Sequence, residues 1–176
     1  MIKLTANHKM ATLEILRYPD KRLRQIAKPV TNFNTDIKKL VKDMAETMYA
    51  APGIGLAAIQ VNVEKRVVVI DITEDKSHLQ VFINPVIKNK TGSITSDEGC
   101  LSVPEIYAAV ERAEQVLIEA QDADGKIFTL EADELMAICI QHEIDHLDGK
   151  VFVDYLSRMK QGRIRKKLLK EAQQAA

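Results

Sequence analysis

Apolar residues recur at helical spacing in three parts of the chain. In residues 36–51 they return every three or four positions, which predicts an amphipathic helix with its cap among residues 34–36. A proline-glycine pair follows and ends it. Residues 132–147 predict a second helix, whose stripe of apolar side chains also carries two histidines. Residues 157–174 predict a third helix, which is strongly basic.

Short runs of β-branched and alternating residues predict strands between the first two helices. Asp122-Ala123-Asp124-Gly125 is typical of a hairpin turn. Because helices and strands are segregated along the chain, we expect an α+β fold. Its strands are expected to be mostly antiparallel and to pack around the second helix, with the third helix at the C-terminal end. The predicted strands are residues 66–72, 81–87, 92–95, 107–111, 115–121 and 126–132.

Length and charge add few constraints to this pattern. The 176 residues contain no repeat or linker, so residues 1–176 are expected to form one domain. Lysine plus arginine and aspartate plus glutamate both number 25, so the net charge attracts neither nucleic acid nor membrane in bulk. No apolar run approaches a membrane span, and the start lacks a signal core, so we expect a cytoplasmic protein. Met10 opens the first patterned segment, and residues 1–9 read equally as an upstream-start extension, a tag or a frayed end.

The second predicted helix carries a candidate metal site. His142 and His146 are four residues apart, which places both imidazoles on one helix face, one turn apart. Glu143 lies between them and suits a general base for a metal-activated water. The alternative is a pair of structural histidines beside a surface glutamate. The otherwise apolar stripe favours the metal, because buried polar groups without partners are costly.

A catalytic site of this kind needs a third protein ligand and an open position for water. Position 152 is Phe152, which rules out the protease class that has a third histidine there. Glu171 lies in the basic terminal helix and is expected to be solvated. Cys139 is about 10.5 Å along the helix from His146, too far to share its metal, and is expected to be a buried core thiol. Cys100 remains, and a thiolate with two imidazoles suits Zn²⁺, Fe²⁺, Co²⁺ or Ni²⁺.

Three segments of the chain together resemble the peptide deformylase family. They are residues 53–60 (GIGLAAIQ), 98–102 (EGCLS) and 141–149 (QHEIDHLDG), and their order and rough spacing also match. The likeness extends from about residue 13 to residue 157, and the C-terminal part looks like the bacterial type that ends in a helix. The resemblance implies a metal-dependent hydrolase that removes the formyl group from the N-formylmethionine of nascent chains and releases formate.

The resemblance also implies a role for each matching residue. Cys100, His142 and His146 would be the metal ligands, and Glu143 the general base and then the general acid. The oxyanion would be stabilised by the side chain of Gln60 and the backbone N–H of Leu101. Family members usually work with Fe²⁺, and zinc, nickel or cobalt can replace it.

The substrate side of the site is less sharply defined. Small residues would let the peptide backbone lie against Ile54 and Gly55, as an added edge strand, and Gly99 permits a close backbone approach near Cys100. The methionine pocket is expected to include Tyr107, Leu135 and Ile138, for each of which ordinary core packing is an equal alternative. Arg112 is expected to pair with Glu98 and brace the cysteine segment.

The terminal helix carries seven basic residues and a single acid, Glu171. Taken alone, the pattern fits a solvated helix, whereas the family resemblance implies contact with the ribosome near the peptide exit. We expect a monomer.

Two other functions would also use the metal-binding motif of the second helix. The first is a metallopeptidase of the zincin type, but the chain lacks a third ligand of the protease kind. The second is an rRNA-binding module with a structural metal, but such a module needs neither a general base nor an oxyanion donor.

Overall fold

The computed structural model describes residues 12–176, so Met10 and residues 1–9 lie outside the described part. Residues 12–176 contain three α-helices, seven strands and three short 3-10 turns. The helices are α1 (Thr35–Ala50), α2 (Glu134–Leu147) and α3 (Arg158–Ala175). The strands are β1 (Gly55–Ala57), β2 (Val67–Ile70), β3 (Gln80–Thr91), β4 (Ile94–Cys100), β5 (Val103–Arg112), β6 (Gln115–Gln121) and β7 (Ile127–Asp133). The 3-10 turns span Lys21–Arg24, Ala58–Val61 and Phe152–Tyr155.

The strands form two antiparallel sheets. Five of them lie in the order β1-β2-β3-β6-β7, and β4 pairs with β5 in a separate hairpin. Strand β1 is therefore at one edge of the larger sheet. The predicted α+β class with antiparallel strands is confirmed. None of the helices in the described part of the chain is long and apolar enough to cross a bilayer.

The predicted helices agree with the structure to within about two residues at each end. Asn34 caps α1, since its side chain accepts hydrogen bonds from the backbone N–H groups of Asp36 and Ile37 at 3.1 and 3.2 Å. Ser157 caps α3 in the same way, through the N–H of Lys160. Each cap satisfies backbone donors that the first helical turn leaves free.

Three strand predictions were wrong in extent, and one strand was missed. Strand β3 runs on to Thr91, past the predicted end at residue 87. The strand predicted at residues 92–95 instead begins at Ile94 and runs on to Cys100 as β4, and Gly92, at φ +70°, lies in the turn between β3 and β4. Strand β5 begins at Val103, before the predicted start at residue 107. Most side chains of this hairpin are half-buried or exposed, so its apolar pattern is weak. Strand β1 has only three residues and was not predicted.

Helix α2 lies in the centre of the fold and packs against β1, β2 and β7. Its apolar residues join the sheet in one cluster, whose members include Met136, Ala137, Ile140 and Leu147. Gln141 fixes the helix to the turn before β6: its side-chain amide donates to the carbonyl of Ala113 at 2.9 Å, and its oxygen accepts from the N–H of the same residue at 3.1 Å. A helix buried on most sides holds its polar side chains in fixed positions.

Candidate metal centre

The structure brings one thiol and two imidazoles together at the centre of the fold. Cys100 ends β4, and His142 and His146 lie one turn apart on α2. One ligand atom from each side chain lies within 4.8 Å of the others, and Sγ of Cys100 is 3.3 Å from Nε2 of His146. Both histidines are buried, and the cysteine is half-buried. Side chains from two different elements thus converge on one point.

The donor set fits a divalent metal. Burial, followed by the charge of His142, lowers the pKa of His146 well below its ordinary value, so its imidazole is neutral and has a lone pair to offer. Nδ1 of His142 is 2.8 Å from Glu98 Oε2, which leaves Nε2 for a ligand. One thiolate and two imidazoles leave the open position that a catalytic site requires.

Glu98 is the residue that sequence reasoning placed only as a partner of Arg112. The predicted Arg112–Glu98 ion pair is present, with Nε and Nη2 of the guanidinium at 2.7 and 3.0 Å from the two carboxylate oxygens. Burial alone would raise the pKa of Glu98, but the hydrogen bonds from His142 and Arg112 outweigh it and lower the pKa to about 2. Glu98 is therefore ionised and accepts the Nδ1–H of His142. Its position two residues before Cys100 was the signal available in the sequence.

Glu143 is a buried carboxyl group with an unusual pKa. It is 4% exposed, and its Oε2 has no hydrogen-bond partner among residues 12–176. Burial raises its pKa to about 7; the charge on His142 opposes this rise and the charge on Glu98 adds to it. A carboxyl group that titrates near neutral pH both accepts and returns a proton readily.

The amide of Gln60 points its nitrogen toward the thiol. Its Oε1 accepts from the N–H of Ala57 at 2.9 Å, and its Nε2 donates to Ser102 Oγ at 3.1 Å and lies 3.6 Å from Cys100 Sγ. Gln60 and Ser102 are both fully buried or nearly so. Ser102 was not singled out from the sequence, although it belongs to the EGCLS segment. It fixes which end of the amide faces the centre.

A cavity of about 1390 Å³ opens onto this centre. It is lined by Gln60, Cys100, Leu101, His142 and Glu143, and by the six predicted substrate-contacting residues Ile54, Gly55, Gly99, Tyr107, Leu135 and Ile138. Further wall residues that sequence reasoning missed belong to residues 13–17. Their segment carries no distinctive chemistry, so no signal in the sequence marked it.

Three of the lining side chains form an exposed rim. Tyr107 is 73% exposed, Leu135 46% and Ile54 43%, so core packing is excluded for Tyr107 and Leu135. Ile138 is half-buried deeper in the cavity. The ring of Tyr107 lies over Gly99, where an added β-carbon would be 2.5 Å from Cε1. The absence of a side chain at Gly99 thus permits the close approach of the Tyr107 ring, whereas the sequence had predicted the approach of a backbone segment.

The other candidate ligands lie apart from the cluster. Cys139 is buried in the core around α2, and burial raises the pKa of its thiol well above the ordinary value, as expected for a core cysteine. Glu171 is on exposed α3, where its carboxylate is 3.8 Å from Lys167 Nζ. Neither residue belongs to the group of ligand atoms at the centre.

Comparison with known proteins gives a consistent result. The family model described as polypeptide deformylase matches residues 12–162. A peptide deformylase of Neisseria gonorrhoeae is 62% identical over 161 residues, which cover 92% of this chain and 96% of that protein. A peptide deformylase of Pseudoalteromonas translucida is 58% identical, with coverage of 93% and 98%.

Solved structures agree with the sequence relatives. A crystal structure of a peptide deformylase from Legionella pneumophila superposes with a TM-score of 0.89 at 48% identity, over 94% of this chain and 98% of that one. The Ehrlichia chaffeensis peptide deformylase in complex with actinonin gives a TM-score of 0.87 at 38% identity, over 92% and 98%.

Proposed function

The chain belongs to the polypeptide deformylase family, and we propose how its own residues perform the family's reaction. The enzyme removes the N-formyl group from the N-terminal formylmethionine of newly synthesised proteins and releases formate. The family assignment favours this activity over a zincin peptidase or an rRNA-binding module. The observation that carries the residue assignment is the cluster of Cys100, His142 and His146 beside the buried carboxyl group of Glu143.

The three clustered side chains are the proposed metal ligands. Sγ of Cys100 lies 3.3 Å from Nε2 of His146, and His142 contributes a ring nitrogen to the same cluster. The mixed sulfur and nitrogen set suits Fe²⁺, the ion we propose, as well as Zn²⁺, Ni²⁺ or Co²⁺. Such an ion, when bound, supplies a water of lowered pKa and polarises a carbonyl oxygen. Glu98 keeps the hydrogen of His142 on Nδ1, so that Nε2 would be the nitrogen that binds an ion.

Glu143 is the proposed proton carrier. With a pKa of about 7, its carboxylate accepts a proton from the water that attacks the formyl carbon. The same group then donates that proton to the leaving amine nitrogen. Its Oε2, which has no hydrogen-bond partner among the described residues, is free for this exchange.

Gln60 and Leu101 are the proposed oxyanion donors. Negative charge develops on the formyl oxygen as the water attacks, and preorganised N–H donors stabilise it. The amide nitrogen of Gln60 faces the thiol. It donates to Ser102, and the amide oxygen accepts from Ala57, so both ends of the amide group are fixed. Leu101 follows Cys100 and lines the same cavity, so its backbone N–H is near the reacting group.

The nascent peptide is proposed to bind along the open edge of β1. This strand pairs with β2 on one side only, and Ile54 and Gly55 line the cavity. A peptide extended along such an edge makes backbone hydrogen bonds that do not depend on its sequence. The methionine side chain would enter the cavity toward Ile138, with Leu135 and Tyr107 at the rim.

The assignment is tested by formate release from formyl-Met-Ala-Ser under anaerobic conditions. The Fe²⁺-loaded protein should release formate, and Glu143→Gln should lose nearly all activity while it retains its metal, because the base is not a ligand. The matched control is Glu171→Gln, on exposed α3, which should have wild-type activity. No formate from metal-loaded protein, or a fully active Glu143→Gln, would contradict the proposal.

Helix α3 is proposed to dock the enzyme on the ribosome, where its substrates emerge. Its exposed basic residues suit rRNA phosphates, whereas Leu168 is buried against the domain, so the helix has one anchored face and one charged face. We also propose that the enzyme acts as a monomer in the cytoplasm, where formylated chains are made. Analytical ultracentrifugation at the concentration used for the activity assay tests this oligomeric state, and it should give the mass of a single chain.

Ribosome binding is best tested without disturbing the anchored face. Arg163, Lys166 and Lys170 are exposed on α3, and changing all three to glutamine should weaken ribosome affinity and reduce its salt dependence, but spare activity on a tripeptide. The matched control changes Lys38, Lys39 and Lys42, which are exposed on α1, to glutamine. Equal ribosome affinity in both triple variants would contradict docking by α3.

A further inference from the structure

A continuous set of contacts leads from Tyr155 to the metal centre. The hydroxyl of Tyr155 donates to Oδ2 of Asp145 at 2.7 Å, and Nη1 of Arg112 donates to the same oxygen at 2.6 Å. Arg112 also grips both carboxylate oxygens of Glu98, which lies 2.8 Å from Nδ1 of His142. Four contacts therefore separate a half-exposed tyrosine from an imidazole at the centre.

Arg112 needs both of its carboxylate partners. Its side chain is only 5% exposed, and a buried guanidinium is costly unless its charge and its N–H groups are satisfied. Nε and Nη2 are used by Glu98, so Nη1 depends on Asp145. If Asp145 moves, Nη1 of the guanidinium loses its hydrogen bond, and the two hydrogen bonds from Nε and Nη2 to Glu98 are held less firmly.

Tyr155 holds this arrangement by two contacts. Its hydroxyl fixes Oδ2 of Asp145, and its ring lies 4.7 Å from the guanidinium carbon of Arg112, at cation–π distance. The ring is 49% exposed, so it covers the ion pairs rather than filling the core. Phe152, in the same 3-10 turn, lies with its ring 6.2 Å from that of His142.

We propose that Tyr155 and Asp145 are positioning residues for the metal centre: they hold Arg112, which holds Glu98 against His142 and so fixes the direction of Nε2. This inference rests on the metal site proposed above. Second-layer groups that orient a ligand imidazole govern how tightly a metal is held. The 3-10 turn after α2 is then part of the metal site, although none of its residues is a ligand.

The test compares two tyrosines that make the same kind of bond. Tyr155→Phe removes the hydroxyl and keeps the ring over Arg112. Tyr49→Phe is the matched control, because its hydroxyl donates to Oδ2 of Asp71 at 2.6 Å, outside the contacts that reach His142. Each variant is loaded with Co²⁺, and three quantities are measured: the rate of metal loss to a chelator, the thiolate-to-cobalt absorption band, and the unfolding midpoint without metal.

Tyr155→Phe should lose Co²⁺ about 3- to 10-fold faster than wild type, and its absorption band should shift. The factor is below the roughly 10- to 100-fold typical of a residue that touches a ligand directly. Asp145→Asn, which weakens the bond to Arg112, should lose metal faster than Tyr155→Phe. Tyr49→Phe should lower the unfolding midpoint without changing the rate of metal loss.

Two results would overturn the positioning role. The first is a Tyr155→Phe protein with the wild-type rate of metal loss and the wild-type band. The second is a Tyr49→Phe protein that loses metal as fast as Tyr155→Phe, which would trace the effect to general destabilisation. Wild-type protein that takes up no Co²⁺ would instead refute the proposed metal site itself, and the inference with it. If Asp145→Asn fails to fold, the conservative Tyr155→Phe still decides.

Discussion

The backbone of Gly55 lies against the carboxylate of Glu143, so closely that a β-carbon at position 55 would be 2.6 Å from Oε1 and 3.1 Å from Cδ. Gly55 begins the edge strand β1, and Glu143 projects from α2, which packs on that strand. The missing side chain is what allows the proposed base to occupy the edge where a peptide would bind. The absence of a side chain at position 55 thus lets the proposed base lie directly beside the proposed peptide-binding edge.

Gly55→Ala is therefore expected to reduce activity by displacing Glu143. The added methyl group needs roughly 1 Å of movement, and misplacement of that size costs on the order of 10²-fold in rate. The metal ligands are not touched, so metal content should equal that of wild type. Steady-state formate release and metal analysis on the same sample check both statements.

Gly162 supplies the control for this substitution. It is exposed on α3, and an added β-carbon meets nothing within 4 Å. Gly162→Ala should have wild-type kinetics and gain about 0.5–1 kcal/mol of stability, because alanine favours an ordinary helix over glycine. A Gly55→Ala enzyme as active as Gly162→Ala would show that Glu143 does not need its observed position.

Replacing Gln60 by glutamate tests whether it acts as a donor. The two side chains have the same shape, but a carboxylate presents acceptors where the amide presents N–H groups. Loss of one oxyanion donor costs about 10²–10³-fold in kcat, and Gln60→Glu should lose at least that much, with KM little changed. Formate release over a range of substrate concentrations separates the two parameters.

Ser102→Ala tests the same donor and is expected to lower kcat less than Gln60→Glu does. It removes the acceptor 3.1 Å from Gln60 Nε2 but leaves the anchor at Ala57, so the amide is loosened rather than replaced. Its kcat should lie between those of wild type and Gln60→Glu. Full activity in Gln60→Glu would remove Gln60 from the list of donors.

The parts of this site that could be predicted from the sequence are those with strong local patterns. The spacing of His142 and His146 follows from helix geometry alone, and α1 and α2 were placed to within two residues by their apolar period. The pairing of Cys100 with them needed elimination of other ligands and then a family resemblance. Such patterns depend on neighbours along the chain, which a sequence displays directly.

The remaining features depend on contacts between distant segments. No pattern among neighbouring residues of the sequence predicts that Gly55 contacts Glu143, or that Tyr155 contacts Asp145. The β4–β5 hairpin was misjudged because most of its side chains are half-buried or exposed, so its apolar residues do not alternate regularly and give little periodic signal. Arg112 was paired correctly with Glu98, yet its second bond to Asp145 became visible only in three dimensions.

The raised pKa of Glu143 predicts how the stability of the metal-free protein depends on pH. Burial raises this pKa from 4.5 to about 7. As the pH rises from 4.5 to 7 the unfolded chain loses this proton while the folded protein keeps it, so the free energy of unfolding falls. The loss should level off above about pH 7, at a size on the order of 3 kcal/mol.

Glu143→Gln cannot ionise and should lack this decline. Urea denaturation of both metal-free proteins, in chelator between pH 5 and 8.5, should show the variant gaining on wild type up to about pH 7 and holding a constant advantage above it. Parallel stability profiles across the range would mean that the carboxyl group is solvated and has no raised pKa.

Glu134 begins α2 with a backbone angle that disfavours a side chain. Its φ is +46°, in the left-handed region, where residues other than glycine lose about 1–2 kcal/mol. The substitution Glu134→Gly should therefore be more stable than Glu134→Ala by about 1 kcal/mol. Both variants remove the same charge from the start of the helix, so their difference isolates the backbone.

The sign of that difference is the diagnostic quantity. In an ordinary helical position alanine is more stable than glycine, as expected for Gly162→Ala on α3, so a helix that began normally at Glu134 would give the opposite order. Urea denaturation of all three variants under one buffer measures both signs together. If Glu134→Ala is more stable than Glu134→Gly, residue 134 does not have the left-handed backbone conformation, and the backbone strain assigned to the start of α2 is not at this position.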